Sequence, residues 1–463
     1  MNKKYQLVVI GAGPGGYIAA IRAAQLGIKT AIIEADKLGG VCLNWGCIPT
    51  KTLLRSAEVV RLLHEAEDFG LKNVKADIDI KAMVTRSRHV AGQLEKGVAG
   101  LMKKNKIDVL EGRGFIADAT HIEVRNGDKM QLLETDFIII ASGARPRVPK
   151  GVPSDSPCVW TAREAMTPDT IPKSLLVVGS GAIGVEFASF YQDIGSRVTL
   201  IEAAAHILPR EDVDISIAAA EALSGRGVEI KTECRFENVK AATKSVSVSL
   251  ADGEGKQDRR FDAVLLAMGV EANVENLWYD ALSIECAEGH IVTDAGCRTS
   301  TGNIFAIGDV AGGPWLAHKA SHEGVIAAEI IAGKAPVPLN QRLIPACTYA
   351  HPQIASIGIT EAEAKQSGRA VHVGKAPFAA NGKALAQGDA YGFVKTIIDA
   401  ESGELLGAHL IGHEVTEQIH IFAAAMAGEA TDSELAHMIF AHPSMAESLH
   451  ESVLDARGEN LNL

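Results

Sequence analysis

A strand, a glycine-rich turn, a helix, a second strand and an acidic residue occur twice in this chain at one spacing, and few folds accept such a repeat. Gln6–Ile10 reads as a buried strand, followed by Gly11-Ala12-Gly13-Pro14-Gly15-Gly16 and a helical stretch to about Leu26. A second strand, Thr30–Ile33, ends at Glu34. Ser174–Val178 likewise leads into Gly179-Ser180-Gly181-Ala182-Ile183-Gly184, a helix, and Arg197–Ile201 ending at Glu202. In both copies the glutamate stands 23 residues after the first glycine. The first glycine makes a tight turn, the second lets backbone approach a pyrophosphate, and the third packs helix on strand. The pyrophosphate then meets the unpaired N–H groups and positive end of the helix, and the glutamate can accept from ribose hydroxyls. Two dinucleotide sites are therefore expected. At the second, Glu202 favours a free 2′-hydroxyl, and Ala203-Ala204-Ala205-His206-Ile207 has no arginine for a 2′-phosphate, so NAD is favoured over NADP.

The rest of the pattern is α/β. A strand at Phe137–Ala141 leads into Ser142-Gly143-Ala144-Arg145-Pro146, another spans Asp262–Ala267, and Asn303–Asp309 reads as a strand ending in a turn. After about residue 340 the pattern changes. Strands near Ile354–Ile357 and Phe393–Asp399 alternate with helices near Val415–Met426 and Asp432–Met438, which reads as a separate α+β domain.

With 463 residues, roughly three domains of about 150 are expected. A net charge of −12 argues against nucleic acid, whose phosphates need a basic surface. No apolar run approaches the roughly 18 to 20 residues of a membrane span. The first strand starts close to Met1, leaving no room for a targeting segment, and a cytoplasmic location is expected. Seven cysteines, an odd and sparse set, do not make a disulfide scaffold.

Two of those cysteines stand close together in Gly39-Gly40-Val41-Cys42-Leu43-Asn44-Trp45-Gly46-Cys47-Ile48-Pro49-Thr50-Lys51. On an ideal helix their Cα atoms would be about 8 to 9 Å apart. A disulfide wants roughly 4.4 to 6.8 Å. If the two bridge, the segment is not regular helix, Gly46 and Pro49 supply the irregularity, and the helix proper runs from Pro49 through Val60. A thiol at such a helix start has its pKa lowered into the reactive range. Zinc would need further ligands at short spacing, and only His64 is near; two inert core thiols are the other alternative. Cys158, Cys234, Cys286, Cys297 and Cys347 are isolated.

With two dinucleotide units and a Cys-x4-Cys just after the first, the chain resembles the pyridine nucleotide–disulfide oxidoreductases over essentially its whole length. Within that family it is most similar to the branch that oxidises protein-bound dihydrolipoamide with NAD in 2-oxoacid dehydrogenase and glycine-cleavage complexes. Gly39–Lys51 carries the most specific motif, and His442-Pro443-Ser444-Met445-Ala446-Glu447 resembles the C-terminal His–Glu signature. The implied fold is two Rossmann-like domains plus an α+β dimerisation domain. Residues 1–147 would bind FAD, 148–272 NAD, 273–340 would return to the FAD domain, and 341–463 would form the interface. Gly11, Gly13, Gly16, Glu34, Lys51, Ser142, Gly143 and Asp309 would bind FAD, with Asp309 on the ribityl chain. Gly179, Gly181, Gly184, Glu202 and Gly269 would bind NAD.

The resemblance also implies chemical roles. Cys42 would exchange with the lipoyl dithiol, and Cys47 would form a charge-transfer contact with the flavin and pass electrons on. His442 would take the substrate thiol's proton, oriented by Glu447, and the pair would complete the site of the other subunit in a homodimer. Lys51 and Glu186 would pair beside the flavin. The lipoyl group would come from a lipoylated acyltransferase or carrier protein. Ser444-x-x-Glu447 also reads as a capping box, and Glu186, read in a first helical turn, also suits a helix dipole. The chain departs from the family at Val270-Glu271-Ala272-Asn273, where an arginine and a proline are usual, and at Ser142, where threonine is commoner. A glutathione-type reductase would carry arginines after Glu202, a mercuric reductase a C-terminal cysteine pair, and a non-catalytic flavoprotein scaffold would not need Cys42, Cys47, His442 and Glu447 together.

Overall fold

The computed structural model describes residues 3–253 and 255–463 and divides the chain into two compact units. The first comprises Met1–Leu53, Lys81–Arg147 and Val270–Leu339; the second comprises Leu54–Ile80, Val148–Gly269 and Asn340–Leu463. In chain order the N-terminal elements are β1 (Lys3–Ile10), α1 (Pro14–Gln25), β2 (Thr30–Glu34), α2 (Gly40–Trp45), α3 (Cys47–His64) and α4 (Ile80–Lys104). Then come β3 (Asp108–Glu111), β4 (Arg113–Asp118), β5 (His121–Asn126) and β6 (Lys129–Ile140).

The seven-stranded sheet of the first unit runs β3-β2-β1-β6-β5-β4, with Ile304–Ala306 parallel on β6. β1 is parallel to both neighbours, Leu7 lying opposite Thr30 and Phe137. Parallel sheets are covered on both faces, so their strands read as unbroken apolar runs. Leu7, Val9, Ile32, Ile139 and Phe305 pack into a core with Ala19, Ala20, Ala23 and Ala327. Val8, Ile10, Ile33, Ile138 and Ile140 fill the opposite core. The strand expected at Phe137–Ala141 is only the buried end of β6. Its first residues, Lys129–Gln131, are exposed, so they lack the apolar run that marks the rest. Helix Ala317–Ile331 lies against α1 so closely that a Cβ on Gly324 would stand 2.6 Å from the Gly15 carbonyl oxygen.

In the second unit, five parallel strands run in the order Glu229–Lys231, Arg197–Ile201, Ser174–Val178, Ala263–Leu266, Val159–Trp160. A three-stranded antiparallel sheet, Arg235–Ala242, Ser245–Asp252 and Gly255–Phe261, shares its core. The C-terminal part is a five-stranded antiparallel sheet with Gln353–Gly358, Leu405–Gly412 and Phe393–Asp399 at its centre. Helices Val415–Ala427 and Glu447–Ala456 contribute Ile419, Phe422, Leu449 and Val453 to its core. Lys395, buried on strand Phe393–Asp399, holds Asp212 (2.8 Å), Asp214 (3.1 Å) and Glu361 (2.7 Å). Lys395 and Asp212 are both buried, so removing either would leave an uncompensated charge.

The cysteine segment is not one regular helix. α2 starts from Gly39, which is in the left-handed region (φ 93°), and stops at Gly46, whose φ of −155° and ψ of −113° lie outside the helical range. α3 then begins at Cys47, two residues before the expected start at Pro49, and continues past Val60 to His64. Proline is at home in a helix's first turn, where its missing N–H breaks no hydrogen bond. The break therefore falls wholly on Gly46.

Candidate active site

The two glycine turns have the same construction. Gly11 (φ 100°) lies against β6 so that a Cβ would stand 2.2 Å from the Ala141 carbonyl oxygen; at Gly179 (φ 95°) the clash would be with Ala267, at 2.5 Å. A Cβ on Gly16 would meet the Gly11 oxygen at 1.9 Å, and one on Gly184 would meet the Gly179 oxygen at 1.9 Å. The middle glycines, Gly13 and Gly181, face open space and start α1 and Ala182–Asp193 without a side-chain cap. Each twelve-residue helix therefore presents its first N–H groups past a residue with no side chain. That is the cradle an anionic pyrophosphate needs.

Both acids are held at the strand ends. Glu34 accepts from Ala12 N–H (2.7 Å), Ala35 N–H (2.8 Å) and Asp36 N–H (2.9 Å). Glu202 accepts from Ser180 N–H (2.9 Å), Ser180 O–H (2.7 Å) and Ala204 N–H (2.9 Å). Burial pushes the Glu202 carboxyl up, but the Ala204 and Ser180 donors outweigh it and hold the group below the usual carboxylate range.

Across the Gly46 break, Cys42 and Cys47 stand as thiols hydrogen-bonded to one another. That bond, then burial, raises the Cys42 thiol, while the Lys51 ammonium opposes the shift. The segment does bring its two sulfurs together. Among the described residues, no group of three or more His, Cys, Asp or Glu is arranged to hold a metal. Asn44 is buried and donates through its side chain to the carbonyls of Leu38 and Gly40, both at 3.0 Å. Sequence reasoning passed over it because a polar residue inside a six-residue helix has no periodicity to betray its role.

Ser142 donates to the Asn273 carbonyl (2.8 Å), and Asn273 donates back to the Ser142 carbonyl (2.9 Å). Val270–Ala272, the unusual segment, pairs antiparallel with Ala144–Pro146, and Arg145 bridges Glu271 and Glu275. The loop geometry that the missing arginine and proline put in question is thus supplied by a two-stranded ribbon. Asp309 is the second residue of a short 3-10 turn, Gly308–Ala311, that follows Ile304–Ala306, and burial raises its carboxyl. Glu323 accepts from Gly308 N–H (2.7 Å) and pairs with the buried Lys319 (2.8 Å), which also donates to the Gly312 carbonyl (3.0 Å). The Lys319–Glu323 spacing of i and i+4 on a helix was the one available signal for this support.

In the second unit His442 Nδ1 lies 3.0 Å from Glu447, and the other Glu447 oxygen accepts Ser444 N–H at 2.8 Å. The carboxylate is held below its ordinary value, chiefly by the Ser444 N–H, against partial burial. The capping-box reading is corrected in part: Ala446 is the N-cap of Glu447–Ala456, and Ser444 supplies its N–H and not its hydroxyl. The His442 side chain is 79% exposed, so the imidazole is presented outward with one nitrogen already oriented. Glu186 is also corrected. It lies beyond the first turn of Ala182–Asp193, buried, and accepts the Tyr349 N–H (2.9 Å), so the dipole explanation does not hold.

Residues 5–324 match the family model described as pyridine nucleotide-disulphide oxidoreductase, and residues 344–453 match that family's dimerisation domain. A Zymomonas mobilis protein described as dihydrolipoyl dehydrogenase is 50% identical over 466 residues, covering 100% of both chains. One so described from Bacillus subtilis is 40% identical over 473 residues, again covering 100% of both. Among solved structures, LpdA from Mycobacterium tuberculosis superposes with a TM-score of 0.90 at 27% identity, over 97% of this chain and 99% of its own. The HOCl-induced flavoprotein disulfide reductase RclA from Escherichia coli gives 0.86 at 30% identity, over 97% and 99%. Twin glycine cradles, a thiol pair at a helix break and these full-length likenesses agree: the chain belongs to the pyridine nucleotide-disulphide oxidoreductases.

Proposed function

We propose that this protein is a dihydrolipoyl dehydrogenase, which oxidises protein-bound dihydrolipoamide to lipoamide and reduces NAD+ to NADH through FAD. The observation that carries the reading is the Cys42–Cys47 thiol pair, hydrogen-bonded across Gly46 in a chain with two dinucleotide cradles. Full-length likeness to proteins described by that activity supports it. Gly11, Gly13, Gly16 and Glu34, with Lys51, Ser142, Gly143 and Asp309, are assigned to FAD. Gly179, Gly181, Gly184, Glu202 and Gly269 are assigned to NAD, and the open Gly13 and Gly181 positions suit the two pyrophosphates.

In this mechanism His442, held by Glu447, removes the proton from a substrate thiol, because the thiolate is the nucleophile. The substrate thiolate attacks Cys42 of the oxidised pair, forming a mixed disulfide and releasing Cys47. The second substrate thiolate then attacks the sulfur of its own first thiol, closing lipoamide and releasing Cys42. The hydrogen bond to Cys47 and burial raise the Cys42 thiol, and the Lys51 ammonium near the pair opposes that shift. FAD, held by Gly11, Gly13, Gly16 and Glu34, would supply the two-electron carrier between this dithiol and NAD+. Glu186 is assigned to the same machinery as a positioning group.

Residues 1–147 and 273–340 are read as the FAD domain, 148–272 as the NAD domain and 341–463 as the interface domain. A homodimer in which His442 and Glu447 serve the other subunit's thiol pair accounts for an imidazole left 79% exposed here. The lipoyl group belongs to an acyltransferase or carrier protein, met in the cytoplasm. The test is turnover. Purified protein is expected to reduce NAD+ with dihydrolipoamide and to leave NADPH with glutathione disulfide untouched; the reverse preference overturns the reading.

A further inference from the structure

Three consecutive residues of α4 reach the segment that carries both thiols. Arg88 Nη1 donates to the Asn44 carbonyl at 2.6 Å, and its guanidinium lies 4.5 Å over the Trp45 ring. Ser87, fully buried, donates to the Pro49 carbonyl at 3.1 Å, and Arg86 Nη1 donates to the Thr52 carbonyl at 3.1 Å. Asn44 and Trp45 end α2, which carries Cys42; Pro49 and Thr52 lie in α3, which begins with Cys47. The last carbonyls of a helix have no partner within it, so a cation is well placed to take one. Arg88 therefore grips the end of the first cysteine helix while Ser87 and Arg86 grip the start of the second. Between the two grips lies Gly46, which is the only residue free of the helices.

We propose that Arg88 is a positioning residue for the redox pair: by stacking on Trp45 and holding the Asn44 carbonyl, it fixes α2 against α3 and so sets the dithiol–disulfide potential of Cys42 and Cys47. The inference rests on the reading of these cysteines as the redox pair. The couple is the disulfide plus two electrons and two protons giving two thiols. Holding the sulfurs at bonding distance raises their effective concentration and stabilises the disulfide; a loosened hinge lets them separate and favours the thiols. Lysine at position 88 would keep the charge and one donor but lose the planar stack.

The experiment titrates holoenzyme in dithiothreitol buffers, the reagent itself being oxidised to its cyclic disulfide, and follows Cys42 and Cys47 by alkylation and mass spectrometry. Arg88→Met is expected to lower the disulfide's equilibrium constant about tenfold, a rise of roughly 30 mV for a two-electron couple. Arg88→Lys should recover part of the shift, and Trp45→Val, which removes the stack and spares the hydrogen bond, should reproduce part of it. Flavin content and melting temperature identify variants that fail to fold, and Trp45→Val carries the test if Arg88→Met is among them. Potentials unchanged in folded Arg88→Met and Trp45→Val would overturn the inference. If the wild-type pair shows no dithiol–disulfide couple at all, the functional reading fails instead.

Discussion

The two glycine cradles are nearly superimposable as local chemistry, yet their surroundings differ. Gly13 and Gly181 have backbone angles of −66°, −179° and −65°, 179°, and in both cradles the third glycine is forced by a carbonyl 1.9 Å from where its Cβ would be. Around the first cradle, however, other elements close in. A Cβ on Gly40 would stand 2.6 Å from the Gly13 Cα, one on Gly15 would stand 3.0 Å from the Ala320 carbonyl oxygen, and Gly39 N–H donates to Ala12 (2.8 Å). Beside the second, Leu208 N–H donates to the Ser180 carbonyl (3.0 Å), a tie from the loop that follows its own strand. One local sequence thus serves two different tasks. A cradle roofed by distant elements suits a dinucleotide held through turnover, and one bordered by its own loop suits a dinucleotide that exchanges. On the proposed assignment, the fingerprint accounts for the pyrophosphate and non-local cover for retention.

The strongest way to break this contrast is to fill the third glycine in each cradle. Gly16→Val and Gly184→Val place the same atoms against the same kind of carbonyl, and such overpacking costs about 3 kcal/mol or more where backbone must move. Gly16→Val is expected to give protein without flavin. Gly184→Val should retain flavin, measured by absorbance after gel filtration, while NAD-dependent turnover falls about a hundredfold. Equal loss of flavin in both would show that the cradles are not separable in this way.

His442→Gln tests chemistry in the second unit while both cradles stay intact. General acid–base groups contribute about 10² to 10⁴ in rate. Dihydrolipoamide oxidation should fall within that range, with flavin content and NAD affinity unchanged. Near-normal turnover would leave the 79% exposed imidazole as a surface histidine.

What the sequence revealed and what it hid follow one physical line. Both cradles were legible because the glycine spacing repeats: the third glycine of each is demanded by the carbonyl of the first, the first closes on a neighbouring strand end, and the middle one leaves the helix start open. The thiol pair was legible as two residues that must break a helix in order to meet, although the break was expected at Pro49 as well as at Gly46. Glu186 was placed in the wrong turn because the helix begins at Ala182, after an extended Gly181. Arg86, Ser87, Arg88 and Lys395 were invisible as functional supports. Their partners are carbonyls and carboxylates that chain folding brings together from far along the sequence, and no periodicity records such a meeting.

Two acids of the second unit sharpen the comparison through pH. Glu202 keeps its charge, while Glu211, nine residues on, is pushed up to about 7, first by burial and then by Asp212, against a hydrogen bond from Ser356. A carboxyl whose folded pKa lies above its unfolded value binds its proton more tightly when folded. Its stabilising contribution is therefore fully present below about 4.5 and is lost as pH rises through about 7. Glu211→Gln should remove that loss, raising stability at pH 8 relative to wild type by up to roughly 3 kcal/mol, with little difference at pH 4.5. Denaturant melts at the two pH values measure it. A variant equally stable or less stable at pH 8 would mean that folding does not raise the Glu211 carboxyl.

The smallest expected effect probes cover most directly. Glu34→Gln and Glu202→Gln each preserve size, remove one charge, and place an amide where N–H donors point, at a cost of about 1 to 3 kcal/mol for the group left unsatisfied. On the proposed assignment the nucleotide at the second cradle exchanges on every turnover, so the loss should appear directly as a rise of about tenfold in the KM for NAD+. NADP+ should gain ground relative to NAD+, since the carboxylate that repels a 2′-phosphate is gone. At the first cradle the same loss is spread over a site that α2 and Ala317–Ile331 also close, and FAD should remain bound through gel filtration. If Glu34→Gln sheds its flavin as readily as Glu202→Gln loses affinity for NAD+, retention lies in the strand–turn–helix unit itself, and the roof over the first cradle has another purpose.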